Sequence, residues 1–129
     1  MADNLFQRFE NGSLSAGARK KNIASTPWNP HKEFPGVFLK NVVTGEDTGG
    51  LLSCHLVRID PGAKIGLHLH SDSIELHEVI EGSGVCVTED GEISYAPGCV
   101  AVLARNASHE VRAGAEGLYL FAKFVAVTT

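Results

Sequence analysis

From residue 36 to residue 127 the chain is cut into short runs rich in Val, Ile, Leu and Phe by Gly, Pro, Asp and Asn every few residues. That punctuation denies a long helix the uninterrupted 3.6-residue period it needs and fits a fold of many short strands. Nine runs qualify, at about 36–43, 50–60, 63–70, 74–81, 84–89, 91–96, 99–104, 108–113 and 117–127. Turn residues fall between them, as in Asp60-Pro61-Gly62, Ser71-Asp72-Ser73 and Pro97-Gly98. Glu89-Asp90-Gly91-Glu92 reads as a tight hairpin, and Gly82-Ser83-Gly84 as a further turn. With 129 residues the chain has the length of one domain. The expectation is an all-β barrel over 36–129, preceded by an irregular N-terminal arm over 1–35.

The arm is rich in Gly, Ser, Ala and Asn, and its Thr26-Pro27-Trp28-Asn29-Pro30 stretch cannot be helix interior. Trp28 is expected to pin the arm to the body, and the Arg19-Lys20-Lys21 run to be solvated surface. Eleven basic against fifteen acidic side chains leave a net charge of −4, the wrong sign for a phosphate backbone, so no nucleic-acid partner is expected. No apolar stretch is long enough to cross a membrane as a helix, and no secretory signal pattern opens the chain, so a cytoplasmic location is expected. Cys54, Cys86 and Cys99 are odd in number and lack Cys-x-x-Cys spacing, which suits buried thiols.

Period-two alternation sets His68 and His70 on one face of their run, opposite Leu67 and Leu69, and Glu75 with His77 on one face of the next. Alternation alone leaves open whether this polar face meets water or an interior. The stretch from Pro61 to Gly82 also carries a fixed spacing. Gly62, His68, His70, Glu75 and Gly82 fill every position of G-x5-H-x-H-x4-E-x6-G, and in this the chain resembles the cupin family. The family's second motif, G-x5-P-x-G-x2-H-x3-N, falls on Gly98, Ala104, Asn106, His109 and Ala113, so its glycine and histidine match while three positions differ. Asn106 stands where the family has glycine, and asparagine tolerates the left-handed backbone that glycine supplies.

The resemblance implies a double-stranded β-helix, or jelly-roll, with a divalent metal inside it. It implies His68, His70, Glu75 and His109 as metal ligands, and their N/O donor set suits Zn, Fe, Mn or Ni. With that polar face inward, Leu67, Leu69, Leu76 and Ile80 look outward, which predicts a homodimer or coverage by the arm. His77, on the face of Glu75, is the candidate catalytic residue, as a hydrogen-bond partner behind the ligands or a general acid/base; a satisfied interior histidine is the alternative. Gly66 leaves space beside His68 for a small molecule or relieves a kink. Lys64 at a strand end is expected to be solvated, His55 is a weaker pocket candidate, and His31 is expected to lie outside the site. The function expected is a metal-dependent enzyme of oxygenase, isomerase or lyase type, acting on a small polar or anionic metabolite. The alternative is a small-ligand-binding or sensor protein with a closed, structural metal.

Overall fold

A computed structural model describes residues 4–127; the first three and last two residues of the expected arm and barrel lie outside the described residues. The strand-rich reading holds from residue 37 onward. Strands β4 (Val37–Val43), β5 (Leu52–Ile59), β6 (Lys64–His68), β8 (Gly91–Tyr95) and β9 (Val100–Leu103) fall within the expected runs. Two strands are much longer than expected. The runs at 74–81 and 84–89 are one strand, β7 (Ser73–Thr88), and those at 108–113 and 117–127 are one strand, β10 (His109–Ala126).

Strands β7 and β10 pair antiparallel along nearly their whole length, forming a ribbon that every other part of the body joins. Its outer half, from residue 118 of β10 onward, also pairs with β5, and β5 with β4; the matching half of β7 pairs with β9. Its inner half, from His109 to Ala113, pairs with β6, while the matching half of β7 pairs with β8. The ribbon therefore serves two sheets and must bend between them. The bend lies where Gly82, Gly84, Gly114 and Gly117 interrupt the register. A Cβ on Gly82 would stand 2.1 Å from the Gly117 carbonyl oxygen, and the Gly82 φ of +83° is one that other residues avoid. Gly82-Ser83-Gly84 is thus a corner within a strand rather than a turn between two, because two backbones approach there too closely for side chains.

The inner faces of both sheets make one core, centred on Val57, Ile59, Cys86, Tyr95, Leu118 and Leu120. A second core lies outside, where Leu56 and Val42 meet Phe6 and Ile23 of the arm. Short regular pieces stand within the arm: α1 (Leu5–Glu10), the hairpin of β1 (Ser13–Ala16) and β2 (Arg19–Asn22), a 3-10 turn (Ile23–Ser25) and β3 (Asn29–Pro30), which pairs with β4. Asn4 and Gln7 cap α1 reciprocally, a signal that the Gly- and Ser-rich composition of the arm obscured. A four-residue helix, α2 (Gly45–Thr48), occupies the loop between β4 and β5.

Trp28 does pin the arm. Its ring stacks on Phe6 with centroids 6.0 Å apart, its indole N–H donates to Glu10, and the Arg58 guanidinium lies 5.1 Å from its centroid. The buried Lys40 ammonium donates to the Glu10 carbonyl. The arm thereby covers part of the outward apolar face, including Ile80 and Phe121, while Leu67, Leu69, Val100 and Val102 remain exposed. Cys54 and Cys86 are buried thiols, Cys99 is half-buried, and all three are free. Among the described residues no helix is long and apolar enough to cross a membrane.

The corner yields a stability test. Gly82→Ala is expected to cost about 3 kcal/mol or more, combining a left-handed φ with a backbone clash. Gly17→Ala has the same sign of φ but open space around it, and is expected to cost only about 1–2 kcal/mol. Urea denaturation of both variants measures the difference, and equal costs would contradict the corner as the reason for glycine.

Candidate metal centre

The two sheets bring four polar side chains to one point. His68 ends β6, and across the ladder its register partner is His109, the first residue of β10. His70 follows in the β6–β7 loop, where its carbonyl accepts the Asn106 N–H at 2.8 Å. Asn106 has a φ of +68°, the left-handed backbone expected at that motif position. This contact ties the loop that carries His70 to the loop that delivers His109. Glu75 lies on β7, in the other sheet, pointing inward with His77 and Val79 while Ile74 is exposed. One donor atom from each of His68, His70, Glu75 and His109 lies within 4.8 Å of all the others.

Hydrogen bonds at the far side of each ring fix which nitrogen faces this point. His68 Nδ1–H donates to the Gly66 carbonyl at 2.7 Å, and His109 Nδ1–H donates to the Ala107 carbonyl at 3.1 Å. A carbonyl can only accept, so in both neutral rings the lone pair is on Nε2. Glu75 is 6 % exposed. Its Oε2 accepts from His77 Nε2–H at 2.6 Å, and the Tyr95 hydroxyl donates to His77 Nδ1 at 2.9 Å. Burial and the neighbouring Cys86 thiol hold the Tyr95 hydroxyl protonated, well above the ordinary phenol range. The other carboxylate oxygen, Oε1, faces His109 Nε2 at 3.1 Å and His70 Nε2 at 3.6 Å. Neither Oε1 nor His109 Nε2 has an aligned hydrogen bond, though both are buried.

Two buried acceptors face to face need a positive charge between them. A proton or a divalent cation between them would supply it. Three imidazole nitrogens and a carboxylate oxygen form a donor set that fits a divalent transition metal. Burial opposes the charge on Glu75, but the adjacent His109 ring and the hydrogen bond from His77 outweigh it and hold the carboxyl well below its usual range. Burial likewise disfavours a charged His109, and the adjacent Glu75 overrides it, raising the His109 pKa. In His68 burial wins and the pKa is lowered.

A chamber of about 200 Å³ opens beside these residues, lined by His68, His70, Glu75 and His77 together with the apolar Leu39, Val57, Ile65 and Leu120. A wider bowl of about 440 Å³, rimmed by Gly50, Asp72 and Ser73, leads to it. The two share His55, His70 and Phe124, and the Phe124 ring packs edge-on against both histidines. His55 belongs to the chamber wall, as its strand parity indicated. Burial lowers its pKa, and its Nδ1–H donates to Asn41 Oδ1 at 2.8 Å.

Three details depart from the sequence reading. His31 lines the chamber although it belongs to the arm, because the segment after β3 folds across the chamber wall. The space beside Gly66 is taken by Phe34 of the same segment; a Cβ on Gly66 would come within 2.9 Å of that ring, so the glycine admits an aromatic side chain of the protein itself. Tyr95 and Asn41, which orient His77 and His55, carried no signal, since contacts between distant strands depend on a register that local spacing does not encode. Lys64 is exposed, as expected.

The sequence profile described as the cupin domain matches residues 55–121. No curated protein matches the chain. Among solved structures, a protein of Thermotoga maritima described as a predicted oxalate decarboxylase superposes with a TM-score of 0.74 at 18 % identity, covering 81 % of this chain and 96 % of that one. A sugar phosphate isomerase from Silicibacter pomeroyi gives 0.68 at 21 % identity, covering 84 % and 76 %. The polyketide cyclase RemF from Streptomyces resistomycificus gives 0.72 at 15 % identity, covering 84 % and 78 %. At these identities the likeness is one of fold.

The proton between His109 and Glu75 must leave when a cation enters. Zn²⁺ affinity, measured by competition with a chelator, is therefore expected to rise as pH increases from 6.5, the ordinary histidine value, through the raised pKa of His109. In metal-free protein the sign is opposite: the stability contributed by a raised histidine pKa is full below 6.5 and is lost as pH climbs through the folded value. The Glu75 contribution, with a depressed pKa, is lost only on strong acidification and stays out of that window. A Zn²⁺ affinity that is flat with pH above 6.5 would contradict the shared proton.

Proposed function

The chain belongs to the cupin family, and from that premise we propose that it is a metal-dependent enzyme acting on a small oxygen-bearing metabolite. One observation carries the proposal. His109 Nε2 and Glu75 Oε1 are buried and without aligned partners 3.1 Å apart, and His68 offers its Nε2 to the same point. In this reading His68, His70 and His109 hold a divalent ion through nitrogen and Glu75 holds it through Oε1. The ion supplies Lewis-acid polarisation of a bound oxygen.

The remaining chemistry belongs to the chain. The Tyr95 hydroxyl orients the His77 ring, and His77 in turn occupies Glu75 Oε2, leaving Oε1 as the free ligand atom. His77 thus acts through Glu75 as a positioning residue. The apolar side chains of the lining lower the local dielectric around a bound molecule. The alternative, a closed structural metal in a binding or sensor protein, is less well supported. The chamber adjoins three of the four residues, giving an ion there an open side toward a ligand.

Metal analysis of variants tests the assignment. Wild type is expected to retain about one equivalent, and His68→Ala and His109→Ala to lose it. His77→Phe, which frees Oε2, is expected to weaken binding by about 10–100-fold without abolishing it, and Tyr95→Phe to weaken it less. Small acids screened against loaded protein, with oxygen uptake followed, should reveal turnover that Glu75→Ala removes. Unchanged metal in the histidine variants, or a water-free tetrahedral zinc in wild type, would contradict the proposal.

A further inference from the structure

The chamber lining beyond the four clustered residues has its own polarity. His31 Nδ1 accepts the backbone N–H groups of Glu33 and Phe34 at 3.0 and 3.3 Å. That nitrogen therefore carries a lone pair, and the proton of the neutral ring lies on Nε2. His55 is wired in the opposite sense. Its Nδ1–H is spent on Asn41 Oδ1, so its Nε2 is an acceptor. Both residues line the chamber, one offering an N–H and the other a lone pair. The apolar part of the lining is formed by Leu39, Val57, Ile65, Leu120 and Phe124. Among the described residues lining the chamber there is no lysine or arginine.

We infer that the chamber selects a compact, apolar-bodied hydroxy acid without a phosphate, its hydroxyl donating to His55 Nε2 and an oxygen acceptor meeting His31 Nε2–H. The inference rests on the metal reading above, because the carboxylate then has one cationic partner available, the ion. A phosphate dianion would have that same ion as its one cationic partner, because the chamber lining supplies no guanidinium or ammonium to meet its remaining charge. A volume of about 200 Å³ equals roughly seven water molecules at ~30 Å³ each, which suits a ligand portion of on the order of ten non-hydrogen atoms inside the chamber. Polyols would leave several hydroxyls against the aliphatic wall without partners, an unfavourable burial. Discrimination between hydroxyl and carbonyl at one carbon follows from His55, since a lone pair accepts from an O–H and repels a C=O oxygen.

The test is calorimetric titration of the Zn²⁺-loaded full chain with three probes: 2-hydroxyisovalerate, 2-oxoisovalerate and glucose 6-phosphate. The hydroxy acid is expected to bind at least tenfold more tightly than either of the others. His55→Phe should reduce the preference over the keto acid to within about twofold while zinc content stays at the wild-type level. Asn41→Leu, which keeps the ring but releases its tautomer, should reduce the preference in the same direction and serves if His55→Phe does not fold. Tightest binding of the phosphate or the keto acid, absence of hydroxy-acid binding, or an unchanged preference in both variants overturns the inference while leaving the metal assignment standing. Failure of wild type to retain zinc overturns the functional reading and this inference with it.

Discussion

A carboxylate cannot be buried as deeply as Glu75 unless its charge is met, and the site is arranged around that requirement. One oxygen is met by a histidine that a tyrosine holds in place. The other is met by a histidine whose ring nitrogen lacks an aligned partner of its own. Those two half-solutions come from different places in the fold: Glu75, His77 and Tyr95 from β7 and β8, His109 from the start of β10, and His68 from β6. The site exists only when both sheets close on each other. The glycine corner in the β7–β10 ribbon, which lets one pair of strands belong to both sheets, is therefore as necessary to the site as the ligands.

Much of this was legible in the residue pattern. Alternation separated Glu75 and His77 from Leu76 and Ile80, and the motif spacing nominated the four residues that converge. The left-handed backbone at Asn106 was legible from its place at the glycine position of the second motif, since asparagine tolerates that conformation. What stayed hidden was what local spacing cannot carry. Paired glycines read as turns because a corner within a long strand and a reversal between short ones share the same residues; only the cross-strand register tells them apart. His31 and Phe34 reach the chamber because the arm crosses it, a contact between segments with no shared period. The tautomers of His31, His55, His68 and His109 are set by backbone groups and by Asn41, none of which is marked in the sequence.

The arm has two roles. Its first part, from α1 to Trp28, covers the outward face of β4, β5 and β10 with a second apolar core, which supports the sheet from behind. Its last part, His31 to Phe34, turns to the other side and furnishes wall for the chamber. A jelly-roll with few residues to spare thereby gains both a backing layer and a shaped cavity from one segment that by composition resembled a loop. Solved structures of similar fold carry names from decarboxylase to cyclase, which fits a scaffold whose chemistry is decided by the residues lining its interior.

The central claim is that these four side chains share one ion. X-ray absorption at the zinc edge of loaded protein measures this most directly. Three nitrogen scatterers of imidazole type at ~2.0–2.1 Å and a carboxylate oxygen at ~2.0–2.2 Å, with a further light-atom scatterer from solvent, is the result expected of an open site. Sulfur scatterers at ~2.3 Å, or a first shell unchanged when His68 and His109 are both replaced by alanine, would place the ion elsewhere and remove the basis of the account.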